Sequence, residues 1–380
     1  MYGNAIRYHT DALRFGALLL LTAVLAFAQE ELQRAVTLAR QGHYAEAEKA
    51  LAGVPEPVDV NRRIAFHRLK AAVDSGLKKP QLAVEEMRAA LALAPGNPDL
   101  LLATAVAEFA AGQTDTSFAH ASSVPESAQQ QALLGDIQEK KGDHVAAAKA
   151  YERAVQLAPN REEYRIAFGR ELIKHQSFQP AINMLQASDG LFPKSAKLRT
   201  LLGIAQYSAG YTDDAVHSLE DAISLDPNLD APHRCLSEIV LQSSASPPEA
   251  ATKILCAWSK TVCSALQLRI ARQSGDAALT AQAIGELKRA PEDSAVGRCE
   301  LGRAYEWSGK LQDARREMEA CVKLDPTPQN HYRLALLYGR LGEPNLEHKE
   351  MQLRTAILAR MSEETALGLN ALEGFEYSGR

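Results

Sequence analysis

The chain has 380 residues, 46% of them hydrophobic and 23% charged, and a formal net charge of −5. That charge argues against a nucleic-acid binder, which usually carries a basic stripe. The hydrophobic residues are mostly Ala and Leu, and runs of Val, Ile, Thr and Tyr are absent, so the composition reads as all-α.

Residues 1–28 read as a secretory signal peptide. Arg7 and Arg14 supply a positive start, Phe15 to Phe27 is an apolar run of 13 residues, and Ala26-Phe27-Ala28 fits a cleavage site. A spanning helix needs roughly 20 apolar residues, so a permanent anchor is the weaker reading. Removal of this segment would leave a chain beginning at Gln29, exported to the periplasm or secreted.

From residue 29 the chain repeats itself. A worn first unit covers 29–59, with a turn at Gly42 and Ala47, Ala50 and Leu51 lining its second helix. The next, 60–95, turns across Gly76 to Pro80, with about two extra residues, and ends at Pro95. A shortened unit covers 96–126, with a turn at Gly112. Three regular units follow, 127–161, 162–195 and 196–229, in strict 34-residue register. Leu134-Gly135, Phe168-Gly169 and Leu202-Gly203 occupy one position, Ala147, Ala181 and Ala215 a second, and Pro159, Pro193 and Pro227 a third. Two degenerate units near 230–261 and 262–293 turn at Ser243 to Pro248 and at Ser274 to Asp276. The pattern is clear again at 294–328, in Leu301-Gly302, Ala314 and Pro326. A final unit starts at Gln329 and turns at Gly342. Its second helix meets Ala359 where the others meet proline, so 362–380 is expected to continue it as a cap or tail.

This pattern of Leu-Gly, then Ala, then Pro resembles the tetratricopeptide repeat family (TPR). The resemblance implies a right-handed superhelical solenoid of about ten antiparallel helix pairs over 29–361. It also implies a binding groove lined by the first helix of each pair. Placed there by the resemblance are Ile166, Arg170, Lys174, Ile204, Tyr207, Arg303, Glu306, Trp307, Tyr332, Leu336 and Arg340. Some relatives hold a partner's C-terminal carboxylate with an Asn-containing clamp. Here Asp136, Arg170 and Ile204 stand where that clamp needs Asn, so the clamp is not carried over.

No catalytic motif is present: no G-x-S-x-G elbow, no H-E-x-x-H pair and no P-loop. His233, Cys235, Cys256 and Cys263 match no usual zinc spacing, so neither metal nor cofactor is expected. The five cysteines all lie in the second half. In an antiparallel pair turning near Gly309, Cys299 and Cys321 fall at one height, and Cys235 and Cys256 do so about Ala245. Buried, unbridged thiols are the competing reading. The function expected is that of an exported, non-catalytic scaffold that binds a protein or peptide partner. The alternatives are a membrane-associated assembly factor held by an uncleaved N-terminal helix and, third, an enzyme without a recognisable motif.

Overall fold

The computed structural model describes residues 29–243 and 246–361. The expected signal segment 1–28 and the expected cap or tail 362–380 lie outside the described residues. The chain forms two compact units, divided between Ala158 and Pro159. In the first, α1 (29–40), α2 (Tyr44–Ala52), α3 (Val60–Gly76), α4 (Pro80–Leu93), α5 (Pro98–Ala110), α6 (Thr114–Ser122), α7 (Ala128–Lys141) and α8 (His144–Leu157) make four hairpins. In the second, α9 (Glu162–Lys174), α10 (Phe178–Ser188), α11 (Ala196–Ser208), α12 (Thr212–Leu225), α13 (Asp230–Gln242) and α14 (Glu249–Trp258) make three. Three more come from α15 (Lys260–Ser274), α16 (Ala277–Leu287), α17 (Ala295–Trp307), α18 (Leu311–Leu324), α19 (Pro328–Leu341) and α20 (Pro344–Met361). The odd-numbered helix of each hairpin is its A helix and the even-numbered one its B helix. Among the described residues there is no strand, and no helix is long and apolar enough to cross a membrane.

The A helices end by a shared device. A residue in the left-handed region follows the helix, and the next N–H reaches back to the carbonyl five residues earlier. Glycine takes that position at Gly42, Gly112, Gly142, Gly210, Gly275, Gly309 and Gly342. The back-bond accompanies each, as in Tyr211 N to Gln206 O at 2.8 Å and Lys310 N to Tyr305 O at 2.9 Å. Lys78 and Gln176 take the same conformation without being glycine. The second hairpin therefore turns at Lys78 in the ordinary way. The longer turn expected across Gly76 to Pro80 is corrected: Gly76 belongs to α3, with Tyr44 so close that a Cβ would meet its ring.

The repeated glycine of the A helix works differently, by making room. A Cβ on Gly203 would lie 2.8 Å from Leu219 Cγ and 3.1 Å from the Ala215 carbonyl. One on Gly135 would meet the Tyr151 ring, and one on Gly302 would meet Met318. Opposite them Ala147, Ala181, Ala215 and Ala314 are fully buried, so the helix axes close on small side chains. The prolines act at the far end. Pro159, Pro227 and Pro326 each follow the last helical residue by two, because their rings cannot continue the ladder. Pro193 departs from this, since α10 stops at Ser188 and a loop through Gly190 precedes the proline.

Neighbouring hairpins bury what one hairpin leaves open. In the second unit, Leu198, Leu201 and Ile204 of α11 share a core with Leu172 of α9 and with Leu236 and Ile239 of α13. A second core runs from Ala265 and Leu268 through Leu301 and Tyr305 to Leu337 and Tyr338.

The hairpin of α13 and α14 breaks the rule twice. Ser243, which follows α13, is not left-handed (φ −59°), and Pro247 and Pro248 precede α14. After α14 there is no loop: Ser259 is at once the C-cap of α14 and the N-cap of α15, its side chain accepting from Val262 N.

Gly203→Ala is expected to cost about 1–3 kcal/mol, because the added methyl overpacks the α11–α12 contact. Gly190→Ala, with nothing near its Cβ, should change stability by about 0.5 kcal/mol or less. Urea denaturation followed by helical circular dichroism checks both.

Candidate functional site

All eleven residues expected to line the groove lie on A helices, but they do not form one surface. Ile204 is a correction: it is fully buried. α11 is enclosed on both sides by α9 and α13, and Thr200 to Gln206 are all buried. Ile204 and Tyr207 therefore cannot present together to a ligand. Ile166 is half-buried and borders an open cavity of about 740 Å³ with Glu162 and Phe192. Arg170 and Lys174 are half-buried on α9. Tyr207 is half-buried, and its hydroxyl donates to Gln242 Oε1 at 3.2 Å.

The remaining six gather on α17 and α19. Trp307, Tyr332 and Leu336 are 43%, 37% and 46% exposed. Arg340 Nη1 donates to Glu306 Oε1 at 2.7 Å, which ties the two helices across one repeat. The Arg354 guanidinium lies over the Tyr332 ring.

Beside this patch is a basin that the repeat pattern did not mark. A cavity of about 330 Å³ is lined by Arg269, Arg272, Arg303 and Arg333, with Glu300 and Trp307. The arginines come from three consecutive A helices, α15, α17 and α19. Arg269 donates to Val240 O at 2.7 Å and to Ser243 O. It thus caps the end of α13, where the last carbonyls lack helical partners of their own. Arg303 donates to Glu300, which is buried. The Arg272 guanidinium lies against the Trp307 ring as a cation–π pair. Burial lowers the Arg269 and Arg272 pKa from the usual guanidinium value, so the positive charge there is partly stripped of water.

The cysteines pair in one expected and one unexpected way. Cys299 of α17 and Cys321 of α18 are bridged, with Cα atoms 4.8 Å apart. The expected Cys235–Cys256 pair is a correction: Cys256 is bridged to Cys263 instead, with Cα atoms 4.3 Å apart. The physical reason is the direct passage from α14 to α15 at Ser259, which brings Cys256 and Cys263 together over seven residues of chain. Cys235 stays a free thiol buried in the core, where burial pushes its pKa up to about 12. His233 stacks on Trp258 rather than facing a thiol cluster.

A stack of paired helices, the most regular of them closed on a glycine and an alanine, defines a helical-repeat protein. The helix pairs are of the tetratricopeptide-repeat kind, and residues 117–162 match the tetratricopeptide repeat family model. No curated protein matches the chain. Solved structures with a similar fold include YrrB, described as a TPR protein with an unusual peptide-binding site. It is 20% identical, with a TM-score of 0.37, over 45% of this chain and 88% of that one. PilF of Pseudomonas aeruginosa is 17% identical, with a TM-score of 0.42, over 54% and 95%. A TPR protein of Parabacteroides merdae is 13% identical, with a TM-score of 0.44, over 77% and 98%.

Glu238 of α13 adds a pH-dependent group to the same face. Gln242 Nε2 donates to its Oε1 at 3.0 Å, and Gln242 also accepts from Tyr207. Burial first, and then the like charge of Asp325, raise the Glu238 carboxyl from 4.5 to about 7. Between those values the folded chain holds a proton that the unfolded chain releases. The stabilisation is therefore complete below about 4.5 and is lost as pH rises through about 7. Glu238→Gln, neutral throughout, should gain on the wild type by about 1–3 kcal/mol between pH 5 and pH 8. Urea midpoints at the two pH values measure the difference.

Proposed function

We propose that this protein is an exported, non-catalytic scaffold that binds a protein or peptide segment along the A helices of its second unit. The observation that carries the reading is the composition of that face. An indole, a phenol and a leucine stay exposed beside Arg303 and Arg340 on α17 and α19. Aromatic and arginine side chains of this kind dominate interface energetics. Stacked repeats also offer an extended surface for a helix or an extended segment. Export is supported by the apolar run and small-residue site before Gln29. Two disulfides in the second unit fit an oxidising compartment.

Two measurements test these parts separately. N-terminal sequencing of the purified protein should begin at Gln29, and a retained 1–28 segment would place it on the membrane instead. The double variant Tyr207→Ala/Trp307→Ala should lose about tenfold or more in partner capture with its melting temperature nearly unchanged. Equal capture by the variant and the wild type at one salt concentration would move the binding site off this face.

A further inference from the structure

The basin of α15, α17 and α19 has more hydrogen-bonding capacity than the chain uses. Arg303 keeps a buried Nε without a partner although its Nη1 is engaged by Glu300. Glu300 keeps a buried Oε2 without a partner. Arg272, exposed and stacked on the Trp307 ring, and half-buried Arg333 add guanidinium donors at the rim that no hydrogen bond or ion pair among the described residues uses. A buried polar atom left unmatched costs free energy, and the cost is larger for a charged group. The deficit at Arg303 Nε and Glu300 Oε2, side by side on one cavity wall, is relieved by a ligand that brings the missing partners. The surroundings make the sign of that ligand plain. Four guanidinium groups face one carboxyl in a chain whose formal net charge is −5, so the basin is not part of a general basic surface.

We infer that this basin binds an acidic peptide segment, whose side-chain carboxylates meet Arg272, Arg303 and Arg333 and whose backbone N–H meets Glu300 Oε2. The guanidinium fork matches a carboxylate with two parallel hydrogen bonds. The unmatched acceptor on Glu300 selects a peptide over a phosphate ion, since a peptide supplies a donor beside its carboxylates and phosphate brings mainly acceptors. A cavity of about 330 Å³ has room for one or two acidic side chains and no folded element. Arg269 has a positioning role: its bonds to Val240 O and Ser243 O hold the α13 end that forms one rim. This inference rests on the proposed use of the A-helix face and names the chemistry of its occupant.

The test uses the full chain and a fluorescein-labelled octapeptide of alternating Asp and Glu, with an Asn/Gln octapeptide of equal length as control. Anisotropy should show the acidic peptide binding about tenfold or more tighter than the neutral one. Its affinity should fall as salt rises from about 0.05 to 0.3 M. Arg303→Gln and Arg333→Gln should each weaken it about tenfold, while Arg316→Gln, on the B helix α18, should leave it unchanged. If Arg303→Gln does not fold, Arg333→Gln, whose side chain has no partner to lose, decides alone. Wild-type affinity in the basin variants would overturn the assignment. So would equal binding of the two peptides, or saturation by inorganic phosphate without peptide binding. In those cases partner capture by the Tyr207/Trp307 double variant still decides, on its own, whether the face is a docking surface.

Discussion

The contact on which the structure depends is the closest approach of the two helices in each hairpin. In the hairpins that begin with α7, α9, α11 and α17 it is made where a glycine of the A helix meets a large side chain of the B helix. At Gly203 and Leu219, and again at Gly302 and Met318, there is no space for even one methyl group. Close approach lets an adjacent, fully buried alanine seal the pair, and it fixes which face of each helix is left for the next hairpin. The left-handed turn at the end of the A helix keeps the register by stopping that helix at one defined residue. Stacking then repeats the same operation, so each core in the second unit passes through several hairpins without interruption.

The hairpin of α13 and α14 departs from the pattern at the end of each helix, and each departure has its own compensation. At the end of α13 the Val240 and Ser243 carbonyls accept from Arg269, which reaches back from the next A helix. Without a loop, α14 runs straight into α15, and the Cys256–Cys263 bridge pins the junction. The irregular repeat thereby brings one arginine into place beside Arg272, Arg303 and Arg333. The α13 cap and the charged basin share one side chain, Arg269.

Much of the fold was legible because small residues and prolines are required by sterics, which act over fixed spacings. Gly135, Gly169, Gly203 and Gly302, with the alanines that face them, mark the hairpins directly. The site was less legible. Burial of a groove position depends on how tightly neighbouring A helices enclose it, and no spacing reports that: Ile204 and Leu336 share a register, yet one is core and the other is exposed. The basin had a usable signal that the worn motif hid. Six residues before the turn glycines Gly210, Gly275 and Gly309 stand Ile204, Arg269 and Arg303. The disulfide at Ser259 left no such trace, because it arises from a missing loop whose absence the degenerate units 230–261 and 262–293 do not reveal.

The central claim is that the A-helix face of the second unit, and not its B-helix face, meets a partner. Site-specific photo-cross-linking addresses it directly, with p-benzoylphenylalanine in place of Leu336 on α19 or of Leu324 on α18. Both leucines are exposed in the free chain, so access alone does not bias the comparison. The account predicts a discrete protein adduct from position 336 and none from 324. An adduct from 324, or equal adducts from both, would contradict it.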